Sequence, residues 1–176
     1  MMTFRCTKKL LTKLGIHKPG EPGPPTAKLG DWYGTILHTR PAHLLVFISE
    51  ASLLTLVLEG RELHTLVPRL QRMLAEFLAK LGIPQEHIDA EFARMSPMAF
   101  GPTINRRILG VLNQACADLK YALPLQPDFT IYDWTWELSR TPWSPLRAER
   151  QEDIARRLLG APPRLRLLPD PHSPLN

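Results

Sequence analysis

Between Trp32 and Glu59 three strand-length segments, Trp32 to Thr39, His43 to Ser49 and Leu53 to Glu59, are separated only by turn signals at Arg40-Pro41 and Glu50-Ala51-Ser52. A parallel return between strands needs a dozen or more residues, so connections this short force an antiparallel meander. Leu44-Leu45-Val46-Phe47-Ile48 is apolar at every position, which predicts a central strand covered on both faces. After Gly60 the period changes. Leu66, Leu70, Leu74, Phe77, Leu78 and Leu81 recur at helical spacing, with Pro68 tolerated in the first turn and Gly82 as the stop.

The flanking segments extend this pattern. Phe4 to Cys6 reads as a short strand before a helix from Lys8 to Leu14, which Gly15 terminates. Pro19, Pro22, Pro24 and Pro25, mixed with Gly20 and Gly23, lack the donors for regular structure and predict an exposed loop. Pro84 opens a helix with Ile88, Phe92 and Met95 inward, and Ser96 to Pro102 reads as irregular. A helix from Asn105 to Ala122 buries Ile108, Leu109, Leu112, Cys116 and Leu119. Another, from Asp128 to Ser139, groups Ile131, Trp134 and Leu138. The fold class is therefore α+β: a small antiparallel sheet, meander plus N-terminal strand, covered by several helices. At 176 residues with 44% hydrophobic side chains the chain suits one domain, residues 1–147. A short helix in 148–160, from about Asp153 to Leu159, and a proline-rich tail over 161–176, expected to be disordered, complete it.

Two helix starts carry the wrong charge. Thr7 can cap a helix opening on Lys8 and Lys9 with Arg5 upstream, and Thr103 or Asn105 can cap one opening on Arg106 and Arg107. A helix N-terminus carries about half a positive charge and prefers acidic neighbours by about 0.3–1 kcal/mol each. Where free N–H groups and cationic side chains point the same way, an anion is the natural partner. The formal charge of +5 is compatible with a polyanion.

Other constellations are weaker. Asp31 beside Trp32 and Tyr33 offers a carboxylate and two aromatics, but strand alternation places the two rings on opposite faces, so only one is expected in the core. Six histidines are present; His38 and His43 flank a tight turn and are expected as cross-strand neighbours, without a third ligand at metal spacing. His87 and Glu91, one helical turn apart, read as a surface pair. Trp134, Trp136 and Trp143 offer either an aromatic contact patch or part of the core. Cys6 and Cys116 stand alone, which fits buried thiols in a reducing compartment and no disulfide framework. No nucleophile elbow, phosphate loop or dinucleotide fingerprint occurs, and no metal or cofactor is expected. The longest apolar runs are strand-sized, so no membrane span is expected and the cytoplasm is the default compartment.

Three segments, Arg5-Cys6-Thr7-Lys8-Lys9-Leu10-Leu11, Leu29-Gly30-Asp31-Trp32-Tyr33 and Asn105-Arg106-Arg107-Ile108-Leu109-Gly110-Val111-Leu112-Asn113, together resemble the bacterial family designated domain of unknown function 6933. Trp136-Glu137-Leu138-Ser139-Arg140-Thr141-Pro142 resembles its ending, so the resemblance spans roughly residues 2–147. It implies a bacterial cytoplasmic protein and no particular activity. Its motifs coincide with the inverted helix starts, which makes Arg5, Lys8, Lys9, Asp31, Trp32, Asn105, Arg106 and Asn113 the candidate anion- or partner-binding residues. The expected function is non-enzymatic binding of nucleic acid or a protein partner, with oligomeric state open. The alternative is a small enzyme on a phosphate-bearing substrate, such as an RNA-cleaving toxin. Convergence of cations with a titratable group such as Asp31 or His38 in a cleft favours the enzyme; a flat basic face favours binding.

Overall fold

A computed structural model describes residues 1–20, 23–141, 143 and 149–162. Five strands form one sheet in the order β4-β3-β2-β1-β5. The meander consists of β2 (Trp32–Leu37), β3 (Leu44–Ser49) and β4 (Thr55–Glu59), antiparallel throughout, as the short connections require. The N-terminal strand β1 (Met2–Cys6) joins the sheet but runs parallel to β2, with Phe4 opposite Trp32 and Arg5 opposite Tyr33. The long return through α1 (Lys8–Lys13) and the proline-rich loop makes that orientation possible.

On the other side of β1 lies β5 (Met98–Pro102), also parallel to it. The sheet is thus mixed rather than wholly antiparallel, and the stretch read as irregular contains a strand. Its sequence hides it: Met98-Ala99-Phe100-Gly101-Pro102 ends in the two residues most depleted in strands, which an edge position with one pairing partner tolerates.

The helices α2 (Leu66–Lys80), α3 (Gln85–Met95), α4 (Arg106–Ala122), α5 (Ile131–Arg140) and α6 (Gln151–Leu159) fall within a few residues of their expected positions. One core contains Phe4, Trp32 and Phe47 of the sheet with Leu70, Leu74 and Leu78 of α2, Ile88 of α3 and Leu159 of α6. The other contains Tyr33, Val46, Ile48 and Val57 with Leu112 and Leu119 of α4 and Trp134 and Leu138 of α5. Helices on both faces explain why Trp32 and Tyr33 are both fully buried, against the expectation that only one would be. They also bear out β3 as a strand covered on both sides, since all six of its residues are buried. Close sheet packing leaves Gly34 no alternative: a Cβ there would lie 2.2 Å from the Phe47 ring.

Helix α5 also closes the outer edge of β4. The Ser139 hydroxyl accepts from Thr55 N–H and donates to Thr55 O, while Thr135 Oγ1 accepts from Val57 N–H at 2.9 Å. An open edge would leave those groups free to pair with another chain. A capping box between Thr130 and Asp133 starts α5 and holds the Asp133 carboxyl below its usual range. Glu91 is buried rather than paired on the surface with His87: its carboxylate accepts from the Lys28 and Leu29 backbone N–H groups and anchors the approach to β2. Beyond α6, Ala161 is buried and Arg156 Nε donates to Pro162 O at 3.1 Å, while residues 163–176 of the expected tail lie outside the described residues.

Candidate functional site

Helix α4 lies against β2 and β3 through Ile108, Val111, Leu112, Ala115 and Leu119, and runs along β2 in the same direction. Its start sits beside Tyr33 and Glu50, and its end sits beside His38 and His43. At 1.5 Å per residue its 17 residues hold those two places about 25 Å apart.

At the start, Asn105 caps the helix as its residue type predicts. Oδ1 accepts from Arg107 N–H at 3.0 Å and from Ile108 N–H at 3.3 Å, while Nδ2 donates to Glu50 Oε1 at 3.0 Å. Glu50, from the turn after β3, thus supplies the acidic neighbour that the helix's own first turn lacks. Arg5 is also matched. Its Nε donates to Asp31 Oδ2 at 2.9 Å, with the two side chains 9% and 3% exposed, and Asp31 Oδ1 accepts from Thr3 N–H at 2.8 Å. The parallel register that sets Arg5 against Tyr33 brings this ion pair alongside the Tyr33 ring. The Tyr33 hydroxyl is buried without a hydrogen-bond partner. Burial first, then the Glu50 charge, push its pKa up to about 12, against the pull of the Asn105 backbone N–H and of Arg5.

The candidate residues therefore separate into two groups. Arg5, Asp31 and Asn105 are joined by internal contacts, and Trp32 is fully enclosed in the other core. Lys8, Lys9, Arg106 and Asn113 are exposed. Lys9 acts electrostatically on the half-buried Cys116 of α4, whose thiol burial raises to about 11. Thr7 makes no side-chain cap on α1; its hydroxyl is 2.9 Å from that of Thr35. Lys8, Lys9 and Arg106 are not among the lining residues of either described cleft. The aromatic patch is likewise closed, with Trp134 and Trp143 each 5% exposed and Trp136 packed edge-on against Phe77 beneath Lys80 and Arg140. Pro142 and residues 144–148 lie outside the described residues.

The far end of α4 has a cleft of about 640 Å³, within the range of ligand sites. Its described lining is His38, Thr39, Arg40, Pro41 and His43 from the β2–β3 turn, with Lys120, Leu123, Pro124 and Pro127 from the end of α4 and the segment after it. No acidic residue is among them. His38 and His43 are neighbours, as their places around the turn predicted, with ring centroids 4.6 Å apart and planes at 87°. The turn is closed by Thr39 Oγ1 donating to Ala42 O at 2.5 Å, and His43 O accepts from Gly60 N–H at 2.7 Å. Gly60 has no room for a Cβ there, since it would lie 2.9 Å from that carbonyl oxygen. His43 Nδ1 is enclosed with no partner, and the adjacent Tyr121 and Leu125 are 76% and 64% exposed.

Sequence reasoning did not single out Arg40 and Lys120 as site residues. The legible signal was the histidine pair, because the turn that joins two strands also juxtaposes the residues flanking it. Lys120 reaches the cleft only through the packing of α4, which periodicity alone does not orient along the sheet. Among the described residues no group of three or more His, Cys, Asp or Glu side chains is placed to hold a metal ion, and no helix is long and apolar enough to cross a membrane.

Comparison with known proteins agrees with the motif resemblance. The model of the family described as domain of unknown function (DUF6933) matches residues 3–152, and the chain belongs to that family. No curated protein and no solved structure matches it.

Proposed function

We propose that this member of the family is a binding module for single-stranded nucleic acid, which enters the cleft between the β2–β3 turn and the end of α4. The observation that carries the reading is the charge balance of that cleft: Arg40, Lys120 and two imidazoles line it with no acidic side chain among the described lining residues. Unmatched cations in a concave site attract phosphate, and each phosphate neutralised releases counterions. Leu123, Pro124 and Pro127 give the same cleft an apolar wall against which an unpaired base can lie, and exposed Tyr121 offers a stacking surface nearby. Lys8, Lys9 and Arg106, exposed and outside the described lining of the cleft, add longer-range attraction in this reading.

A salt-titrated anisotropy measurement with a labelled single-stranded oligonucleotide tests it. Reversal of Arg40 and Lys120 to Glu is expected to weaken binding at least about tenfold and to lower the salt slope by about two, one for each lost phosphate contact. Reversal of Lys8 and Arg106, which do not line the cleft, is expected to weaken it less than about threefold in screening salt. The opposite order would return the site to the start of α4, and equal effects would leave only a diffuse basic surface.

A further inference from the structure

The binding reading does not use the arrangement of the two imidazoles. His38 is exposed at the cleft, and His43 is held at the first position after the turn by its backbone bond to Gly60. The rings stand edge to face with centroids 4.6 Å apart, and they line the cleft together with one cation from the turn, Arg40, and one from the helix, Lys120. Two imidazoles without a third donor make an incomplete metal set. They are a complete set for a different task, since imidazole is the side chain that is ordinarily available near neutral pH in both its proton-accepting and its proton-donating form. Among the described residues His43 Nδ1 has no hydrogen-bond partner.

We propose that the cleft cleaves single-stranded RNA by transesterification at phosphorus, with His38 and His43 as the acid–base pair and Arg40 and Lys120 holding the phosphoryl oxygens. This rests on the binding reading above. In the step, one neutral imidazole takes the proton of the ribose 2′-hydroxyl as the 2′-oxygen forms its bond to phosphorus. The bond from phosphorus to the 5′-oxygen breaks, and the other, protonated imidazole gives its proton to that departing oxygen. One strand ends in a 2′,3′-cyclic phosphate and the other in a 5′-hydroxyl. The two imidazoles have exchanged protonation states, which water restores, and no oxidant or other co-reactant enters. The cationic pair stabilises the charge that gathers on the phosphoryl oxygens in the transition state. The nucleophile belongs to the substrate, which accounts for a site with no serine or cysteine nucleophile among its lining residues.

The experiment uses the full chain and an oligodeoxynucleotide carrying a single internal ribonucleotide. Cleavage is expected only at the ribonucleotide, with the cyclic phosphate identified by mass spectrometry, whereas the all-deoxy strand is bound and left intact. His38→Ala and His43→Ala are each expected to slow cleavage at least about 100-fold, the usual worth of a positioned acid or base. Binding to a 2′-O-methyl analogue and the melting temperature should change little. His64→Ala, an exposed histidine outside the cleft, should leave the rate unchanged. Binding without cleavage overturns this inference and leaves the binding reading standing. Absence of binding removes both, and cleavage that persists in the His38 and His43 variants assigns it to another site or a contaminating nuclease and also overturns it.

Discussion

At the Asn105 end of α4 both Arg5 and the helix start have a carboxylate built beside them; at the Lys120 end Arg40, Lys120 and two histidines share a cleft with no carboxylate among its described lining residues. At the first end Arg5 and Asp31 are a buried, matched pair and Asn105 is tied to Glu50. The second is open, and its charges face solvent. Matched buried charge is costly to disturb because each partner has given up water for the other. Unmatched exposed charge costs little to remove and is left available to a ligand. At the helix start that looks anionophilic in the sequence the protein places the Glu50 carboxylate, while the less conspicuous end has no carboxylate among its described lining residues.

The largest expected effect follows from the buried pair. Asp31→Ala leaves the Arg5 guanidinium uncompensated and frees Thr3 N–H, so a loss of about 3–5 kcal/mol in urea unfolding is expected. A loss below about 1 kcal/mol, the range of exposed ion pairs, would break the comparison by showing that the first end is as solvated as the second. Next is the cap. Asn105→Ala removes two acceptor contacts to the helix N–H groups and the donor to Glu50, and a cost of about 1–2 kcal/mol is expected, measured in the same way.

This contrast shows how far residues alone could carry the reading. The meander was legible because connection length decides strand direction, and α2 and α4 were legible because their apolar positions hold a helical period. β5 was not, because a strand ending in Gly101 and Pro102 owes its form to pairing with β1 rather than to its own preferences. The inverted charge at the start of α4 and the cation at Arg5 were visible, but the carboxylates beside them were not. Glu50 lies 55 residues from Asn105 and Asp31 lies 26 from Arg5, and only the sheet register brings them together. The His38–His43 pair was legible for the converse reason, since one short turn places it.

Tyr33 gives a smaller effect with a defined sign. Its hydroxyl is neutral and buried in the folded protein with a pKa pushed up to about 12, whereas an unfolded tyrosine ionises near its model value of 10.0. Above that value the unfolded state gains charge first, so the contribution of Tyr33 is intact below about pH 10 and is lost as pH rises toward 12. Tyr33→Phe removes this proton and should make the fall shallower, while Cys6, raised to about 12 by burial, maintains part of it in both proteins. At neutral pH the variant should be equal in stability or up to about 1 kcal/mol better, since an unpaired buried hydroxyl is lost. Unchanged steepness between pH 10 and 12 would show that the hydroxyl has a partner or reaches water.

The smallest expected effects lie at the open end, where their sign depends on what is in solution. Lys120 is the basic residue in the last turn of α4, so Lys120→Ala should cost a few tenths of a kcal/mol, toward the low end of the about 0.3–1 kcal/mol such contacts give. Arg40→Ala removes a like charge from the same cleft and should change stability by less than about 0.5 kcal/mol, with a bias toward stabilisation. Added oligonucleotide should reverse that bias. A ligand that binds only the folded state raises stability in proportion to the logarithm of its concentration over its dissociation constant, so the parent should gain melting temperature and the Arg40 variant should gain less. Asn105→Ala, although less stable at the outset, should gain as much as the parent, because its lost contacts lie about 25 Å from the ligand. If the Asn105 variant lost the gain and the Arg40 variant kept it, the roles of the two ends would be exchanged, and the carboxylate of Glu50 would have to leave the helix start when the ligand binds.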